Sequence, residues 1–341
     1  MSGRRGARTR GRKENSKTMP ETLLKQRLAE ELPPIGAALA RATERLPEPV
    51  RPVARHILEA GGKRLRPFLT VLMARLLGDA GERIYDLAVT MEMLHAATLL
   101  HDDVLDDAAS RRGKAAAHTS FGVTQAILAG DALLSGANAQ VADFGDPRLC
   151  RCFSTATSET AAGEILEIAA QRRVDVSAEE YAAIVRGKTA ALIAAACELG
   201  ALAANAAPDA VRAAADYGEN LGMAFQIVDD ALDFAPAEET GKPTGGDVRE
   251  GKLTPPLRFY RLNLAENERA AFDAAFVCGL MSAADAAEIS LRVREGGFDR
   301  RAREEAQDYL EAARKALLRL PDGPERPVLM EMTDYVRDRR H

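Results

Sequence analysis

The run IYDLAVTMEMLHAATLLHDDVLDD, residues 84–107, decides the fold class. Leu87, Met91, Leu94, Thr98 and Leu105 recur near one stripe of a 3.6-residue repeat, which predicts a helix over 84–105. Working outward, the same periodicity appears near 20–31, 35–46, 64–78, 118–143, 147–172, 178–204, 209–234, 265–277, 282–295 and 298–320. Alanine, leucine, glutamate and arginine, all strong helix formers, fill these stretches. Period-two runs of Val, Ile and Tyr are absent, so the chain reads as all-α. Gly61-Gly62, Asp146-Pro147 and Pro208 mark turns, and Pro255-Pro256 suits the first turn of a helix. Residues 235–253 form the one long glycine-rich loop of the body, and long internal loops are usually functional.

Composition narrows the class. The chain has 341 residues, 46% apolar and 28% charged, close to the globular average. No window approaches 18 uninterrupted apolar residues, so no transmembrane span is expected. Cys150, Cys152, Cys197 and Cys278 form neither a disulfide framework nor paired metal knuckles, and read as reduced thiols of a cytoplasmic protein. Residues 1–17 carry seven basic side chains against one acid. Residues 1–18 read as a disordered basic tail, with Met19 as an expected natural start, and 19–341 as a single domain. Nucleic-acid binding would rest on that tail alone and is not expected.

The chemistry lies in the aspartates. Asp102 and Asp106 stand four apart after an apolar helical approach, so both carboxylates share a helix face, where like charges repel. The pattern returns in FQIVDDALDF (225–234), with Asp229 and Asp233 on one face. Two opposed acidic faces call for cations between them. Mg²⁺ takes oxygen ligands and commonly binds through one or two carboxylates plus substrate phosphates. Cationic groups for those phosphates stand near: Lys63 and Arg66 after Gly61-Gly62, Arg111 and Arg112 beyond the first motif, Lys188, and Lys242 and Lys252 in the glycine-rich loop. Gly187-Lys188-Thr189 is like the end of a phosphate-binding loop, but Ala182 stands where that motif needs its first glycine, and the segment reads as helix. No Ser-His-Asp or Cys-His spacing convinces.

GGKRLRP (61–67), LLHDDVLDDAASRRG (99–113), GKT (187–189), FQIVDDALDF (225–234) and GKPTGGDVREGKLTPPL (241–257) occur in the order and spacing of the all-trans polyprenyl diphosphate synthases. The chain resembles the medium- and long-chain bacterial members of that family over roughly residues 20–340. The resemblance implies a bundle of long helices around a deep central cavity, usually as a homodimer. It implies head-to-tail condensation of isopentenyl diphosphate onto an allylic diphosphate (geranyl, farnesyl or geranylgeranyl). Carried over by matching motif, Asp102 and Asp106 would bind two Mg²⁺ and Asp229 a third, with Asp103, Asp230 and Asp233 completing the metal-binding sets; Mn²⁺ is an alternative ion. Asp102, Asp106, Lys188 and Asp229 would carry catalysis. Arg111, Lys188, Thr189, Gln226 and Lys242 would hold the allylic diphosphate, Lys63, Arg66, His95 and Arg112 the isopentenyl diphosphate, and Lys252 would be a further substrate-binding residue. Asp107 stands where the family more often has Glu or Ser. A class I terpene cyclase would have a different second metal motif and lack GGKRxRP; a non-catalytic partner subunit would have lost acidic or arginine residues kept here.

Product length is read from the helix before Asp102, along which the growing tail should run. A turn rises about 5.4 Å, close to one isoprene unit. Ala97 and Thr98 stand five and four residues before Asp102 and neither is aromatic, so no floor is expected there. Leu94 comes next, with Met93 and Met91 nearby, and Phe144 or Phe153 as a deeper floor on neighbouring helices. The expectation is seven to ten isoprene units (C35–C50), octaprenyl-like, for quinone side chains; the alternatives are a farnesyl- or geranylgeranyl-length product and a subunit of a heteromeric synthase. A peripheral membrane contact for product release is the most membrane involvement expected.

Overall fold

A computed structural model describes residues 22–79, 81–236 and 244–339. The basic tail and Lys242 lie outside these residues. The chain runs through α1 (Leu23–Glu44), α2 (Arg51–Leu58), α3 (Leu65–Leu76) and α4 (Arg83–Leu105). A small antiparallel hairpin follows, β1 (Ser110–Arg111) with β2 (Lys114–Ala115). Then come α5 (Ala117–Phe121), α6 (Val123–Ala142), α7 (Pro147–Ala170), α8 (Ala178–Val185), a π-helical segment Arg186–Ala190, α9 (Ala191–Ala203) and α10 (Pro208–Leu232). The last part is α11 (Gly246–Glu250), α12 (Pro255–Leu262), α13 (Glu266–Val277), α14 (Ala283–Glu295), α15 (Phe298–Leu317) and α16 (Glu325–Arg337).

The helix bundle is organised by its buried members. In α4, Leu87, Ala88, Val89, Met91 and Leu94 are all inside, with apolar residues on every side. A helix apolar all round belongs in the centre of a bundle. It packs against α6, α3, α1 and α9, while α10 packs against α15, α9 and the π-helical segment. One large apolar cluster joins these helices from Leu24 to Val336. A smaller one, around Phe234, Val248, Leu257, Tyr260 and Phe276, ties α11–α14 to the end of α10. Among the described residues no helix is long and apolar enough to cross a membrane.

The predicted helix over 118–143 is broken at Gly122 (φ 94°), α2, α11 and α16 fall outside the predicted stretches, and three further features depart from the expectation. Helix α1 is continuous through Pro33 and Pro34, where two separate helices are predicted. The lost amide donors are tolerated because buried Glu31, Ile35 and Ala38 hold both halves to the core. The predicted helix over 178–204 is interrupted by the π-helical segment. The hairpin is too short for a period-two signal; its turn, Arg112-Gly113, has φ of 51° and 77°, as a two-residue hairpin loop requires.

Glycine sets a close helix contact between α3 and α9. A Cβ on Gly200 of α9 would sit 2.4 Å from the Thr70 carbonyl oxygen of α3. Gly200→Ala is therefore expected to destabilise the protein by about 1–3 kcal/mol through overpacking. Gly36→Ala, on the exposed face of α1 with nothing within 4 Å, should instead stabilise by about 0.5–1 kcal/mol. Thermal melts of the two variants, moving in opposite directions, check the packing.

Candidate active site

The first acidic motif closes α4. Asp102 and Asp106 lie one turn apart, and Asp106 is the C-terminal cap residue. Asp103 turns the other way into the interior and is 0% exposed. There Arg111 donates to its Oδ1 through Nε at 2.7 Å and Nη2 at 2.5 Å. The chain reverses just after α4, where Asp107 is left-handed (φ 48°) and the Ala108 amide donates to the Asp103 carbonyl at 3.0 Å, and this brings Arg111 of β1 back to the helix end. Asp102 has no such partner set. Burial first, then the nearby carboxylates of Glu164 and Asp106, push its pKa up to about 7, against the pull of Lys188 and Arg111. A desolvated carboxylate beside other carboxylates suits a hard dication.

Across from it stands α7 with the π-helical segment. A Cβ on Gly163 would meet the Lys188 backbone nitrogen at 2.2 Å, and one on Gly187 would meet the Glu159 carbonyl at 2.8 Å. Two glycines thus let the backbones touch, and the extra residue of the π-turn aims Lys188 inward. Its Nζ lies 2.7 Å from Glu164 and 2.6 Å from Glu167. Lys252 joins the same cluster, 3.1 Å from Glu167 and 2.9 Å from Glu250. Burial works against the charge on Lys188, but Glu167 and Glu164 raise its pKa, so it stays protonated. Neither glutamate is among the residues expected from the motifs. Their three-residue spacing in GEILE (163–167) puts them on one helix face, the only sequence signal they give.

The second acidic motif divides its aspartates among different tasks. Asp230 accepts hydrogen bonds from the Tyr181 hydroxyl at 2.5 Å and from Gln226 Nε2 at 2.7 Å. Thr189 in turn donates to Gln226 Oε1 at 2.8 Å. Burial is the main cause that holds Asp230 up at about 7, with Asp229 and Glu167 adding to it. Asp233 accepts from the backbone amides of Gly246 and Asp247 at 3.1 and 2.9 Å, pinning the end of the glycine-rich loop. Asp229 is half outside and faces a cation already: Arg339 Nη2 donates to its Oδ1 at 2.8 Å, while that guanidinium stacks 4.1 Å from the Phe225 ring centre. Tyr181 and Arg339 are further site residues that the motifs do not announce, and Asp247 lies in the 241–257 run without being named there as a site residue. A cavity of about 140 Å³ opens here, lined by Lys188, Thr189, Gln226, Asp230, Asp247 and Lys252.

A separate cationic pocket lies beside the start of α3. His95, on α4, is half-buried, and its pKa is driven well below the usual range, first by desolvation and then by Arg66, Arg112, Arg111 and Arg64. It is therefore a neutral ring able to donate one N–H. Burial also lowers Arg66 to about 10, with Arg112 adding to the effect, and the Arg66 Nε has no partner. Arg112 donates to the Gly61 carbonyl. Lys63 stands at the exposed mouth, its Nζ 5.3 Å from the Tyr335 ring centre. Along α4, Leu94 and Ala97 are buried, and Thr98 is half-buried with its hydroxyl donating to the His95 carbonyl. Phe153 is fully buried on α7, whereas Phe144 is half-buried under the Arg83 guanidinium.

Residues 47–282 match the sequence profile of the polyprenyl synthetase family. The chain belongs to that family. It is 35% identical over 310 residues to heptaprenyl diphosphate synthase component 2 of Geobacillus stearothermophilus, covering 91% of this chain and 96% of that one. A decaprenyl diphosphate synthase from Rhodobacter capsulatus superposes with a TM-score of 0.87 at 38% identity, over 93% of this chain and 99% of that one. A polyprenyl synthase from Caulobacter crescentus CB15, solved with calcium and isoprenyl diphosphate, gives 0.87 at 36% identity, over 93% and 98%. Chains named for short-chain and geranylgeranyl products match as well. The protein is thus a trans-prenyltransferase with the all-α isoprenoid synthase fold.

Among the described residues no three His, Cys, Asp or Glu side chains converge closely enough to cage a metal by themselves. Carboxylates that share a cation with a phosphorylated ligand need no such cage. Without metal, the ionised Asp102 costs stability. Its folded pKa of about 7 lies well above the ordinary aspartate value, so the folded state binds the proton more tightly. Stability is therefore lost as pH rises from about 4 to 7. In chelator, Asp102→Asn should melt above the unsubstituted protein at pH 8, by about 1 kcal/mol or more, and lose most of that advantage at pH 5. Melts in chelator at the two pH values check this; an equal difference at both would contradict it.

Proposed function

We propose that the protein joins isopentenyl diphosphate to an allylic diphosphate and extends it to an all-trans polyprenyl diphosphate of about C35–C50, for quinone side chains. One observation carries the reading: the Lys188–Glu164–Glu167 cluster adjoins the aspartates of both motifs, so both serve one charged site. Asp102, Asp106 and Asp229 would hold Mg²⁺, up to three ions per site. Asp103, Asp230 and Asp233 act behind them, their carboxylates being engaged by Arg111, by Tyr181 and Gln226, and by backbone amides. Bound there, the cations would stabilise the charge growing on the departing diphosphate.

The chain's own residues do the rest. Lys188, Thr189, Gln226 and Lys252 orient the allylic diphosphate, with Lys242 and Arg111 as further contacts. Arg66, Arg112, neutral His95 and Lys63 hold the isopentenyl diphosphate so that its double bond faces the carbon losing its diphosphate. The apolar walls of α4 keep water from the cation formed there. The product length follows from small Ala97 and Thr98 below Asp102, and heptaprenyl and decaprenyl synthases among the relatives support it.

Adjacent helices α6 and α7 support a homodimer, because they leave Ile127, Leu128, Ile165, Leu166 and Ile168 exposed. The likeness to a protein named as one component of a synthase favours a second reading, a catalytic subunit that needs a partner. The deciding experiment incubates the purified chain with labelled isopentenyl diphosphate, farnesyl diphosphate and Mg²⁺, and sizes the hydrolysed products. A ladder to C35–C50, abolished by chelator and restored by Mg²⁺, is expected. Ala97→Phe should shorten the ladder by several isoprene units while leaving elongation intact. A product ending at C15 or C20 in the unsubstituted protein would overturn the length. Gel filtration of the active species separates a homodimer from a chain silent without a partner.

A further inference from the structure

Arg64 is the one residue of the GGKR run that the reading above leaves without a task. Its backbone is left-handed, φ 48° and ψ 37°, a conformation that a residue with a side chain holds only when its surroundings enforce it. The enforcing contacts are visible. Arg64 Nη1 lies 2.5 Å from Glu92 Oε1, and the Glu92 side chain is only 5% exposed. The other arm of the guanidinium donates to the Leu58 carbonyl, at the end of α2. The Arg64 carbonyl accepts from the Phe68 amide at 3.1 Å and so begins α3. One side chain therefore joins α2, α3 and α4.

Glu92 stands three residues before His95, one turn away on the same side of α4. It is the acid whose charge offsets the desolvation of both Arg66 and Arg112. Three guanidiniums, those of Arg64, Arg66 and Arg112, thus gather about one buried carboxylate. Two of them have reason to meet an incoming anion: the Arg66 Nε has no partner, and Arg112 reaches in from the hairpin. Arg64 has both of its Nη atoms engaged by protein.

We propose that Arg64 and Glu92 are positioning residues: their buried ion pair fixes the left-handed turn that carries Lys63 and Arg66 to the isopentenyl diphosphate, and Arg64 does not bind the substrate itself. This rests on assigning the Arg66–His95–Arg112 pocket to that substrate. The alternative is that Arg64 swings to the diphosphate and Glu92 only neutralises it when the pocket is empty. The two differ in the sign of the effect at Glu92. If Glu92 competes with the diphosphate, removing it improves binding. If it fixes the turn, removing it weakens binding.

The test is steady-state kinetics of the full chain with each substrate varied in turn. Arg64→Met and Glu92→Leu should each raise KM for isopentenyl diphosphate about tenfold, with KM for farnesyl diphosphate and kcat within about twofold of the parent. The double variant should be no worse than the poorer single, because both break one interaction. Arg64→Lys and Glu92→Gln, gentler changes that guard against misfolding, should fall between, as circular dichroism melts confirm the fold. A KM for isopentenyl diphosphate that is unchanged or lower in Glu92→Leu and Glu92→Gln would overturn the proposal. Arg66→Ala separates the failures. If it raises that KM while the Arg64 and Glu92 variants do not, the positioning role alone falls; if it leaves the KM unchanged, the pocket assignment falls and takes the proposal with it.

Discussion

Bringing carboxylates together in a place that water reaches poorly is costly, and most of this structure responds to that cost. The acidic ends of α4 and α10 adjoin the same charged cluster, and α7 adds Glu164 and Glu167 to it. The protein meets the negative charge in three ways. Some aspartates are neutralised by arginine, as Asp103 is by Arg111. Some are solvated by hydroxyl, amide or backbone donors, as Asp230 and Asp233 are. Asp102 is left with a pKa held up near 7, a carboxylate whose electrostatic need the chain itself does not meet. On the proposed reading, cations bind at such a site because the folded chain leaves charge for them to balance.

Small residues make the arrangement geometrically accessible. Lys188 can stand between Glu164 and Glu167 only because Gly163 and Gly187 let two backbones meet without side chains between them. The π-turn at Arg186–Ala190 then adds a residue that a regular helix could not accommodate at that point. Packing and electrostatics are therefore one problem: a methyl group on Gly163 would displace the Lys188 backbone before it altered any charge.

Most of the helices and both aspartate motifs were legible because each rests on a local, periodic signal, whereas α2, α11 and α16 fall outside the predicted stretches. Apolar stripes such as Leu87–Met91–Leu94 announce themselves within one helix, and DDxxD is a spacing on one helix. Glu92, Glu164 and Glu167 were not legible, since their importance comes from partners 28, 24 and 21 residues away, Arg64 for the first and Lys188 for the others. Arg339 lies 110 residues from the Asp229 it faces, and nothing near it in the chain marks it. The split of tasks within each aspartate motif was also hidden. Side-chain spacing gives the shared face of Asp102 and Asp106, but not that Asp103 meets an arginine brought back by the chain reversal at Asp107.

The two halves of the site differ in the sign of the charge they leave unbalanced. Around His95 the surplus is positive: Arg64, Arg66 and Arg112 face one carboxylate, Glu92, and His95 is kept neutral. Around Asp102 and Asp229 the surplus is negative, and lysines alone do not remove it. A bare diphosphate is attracted to the first half and repelled by the second. A diphosphate that arrives with divalent cations would, on the proposed reading, meet the reverse: the aspartates would take its metals, whereas in the arginine pocket the one carboxylate, Glu92, is already engaged by Arg64. On the proposed reading, two substrates bearing the same headgroup are sorted by whether that headgroup carries metal, before the shape of either hydrocarbon tail is felt.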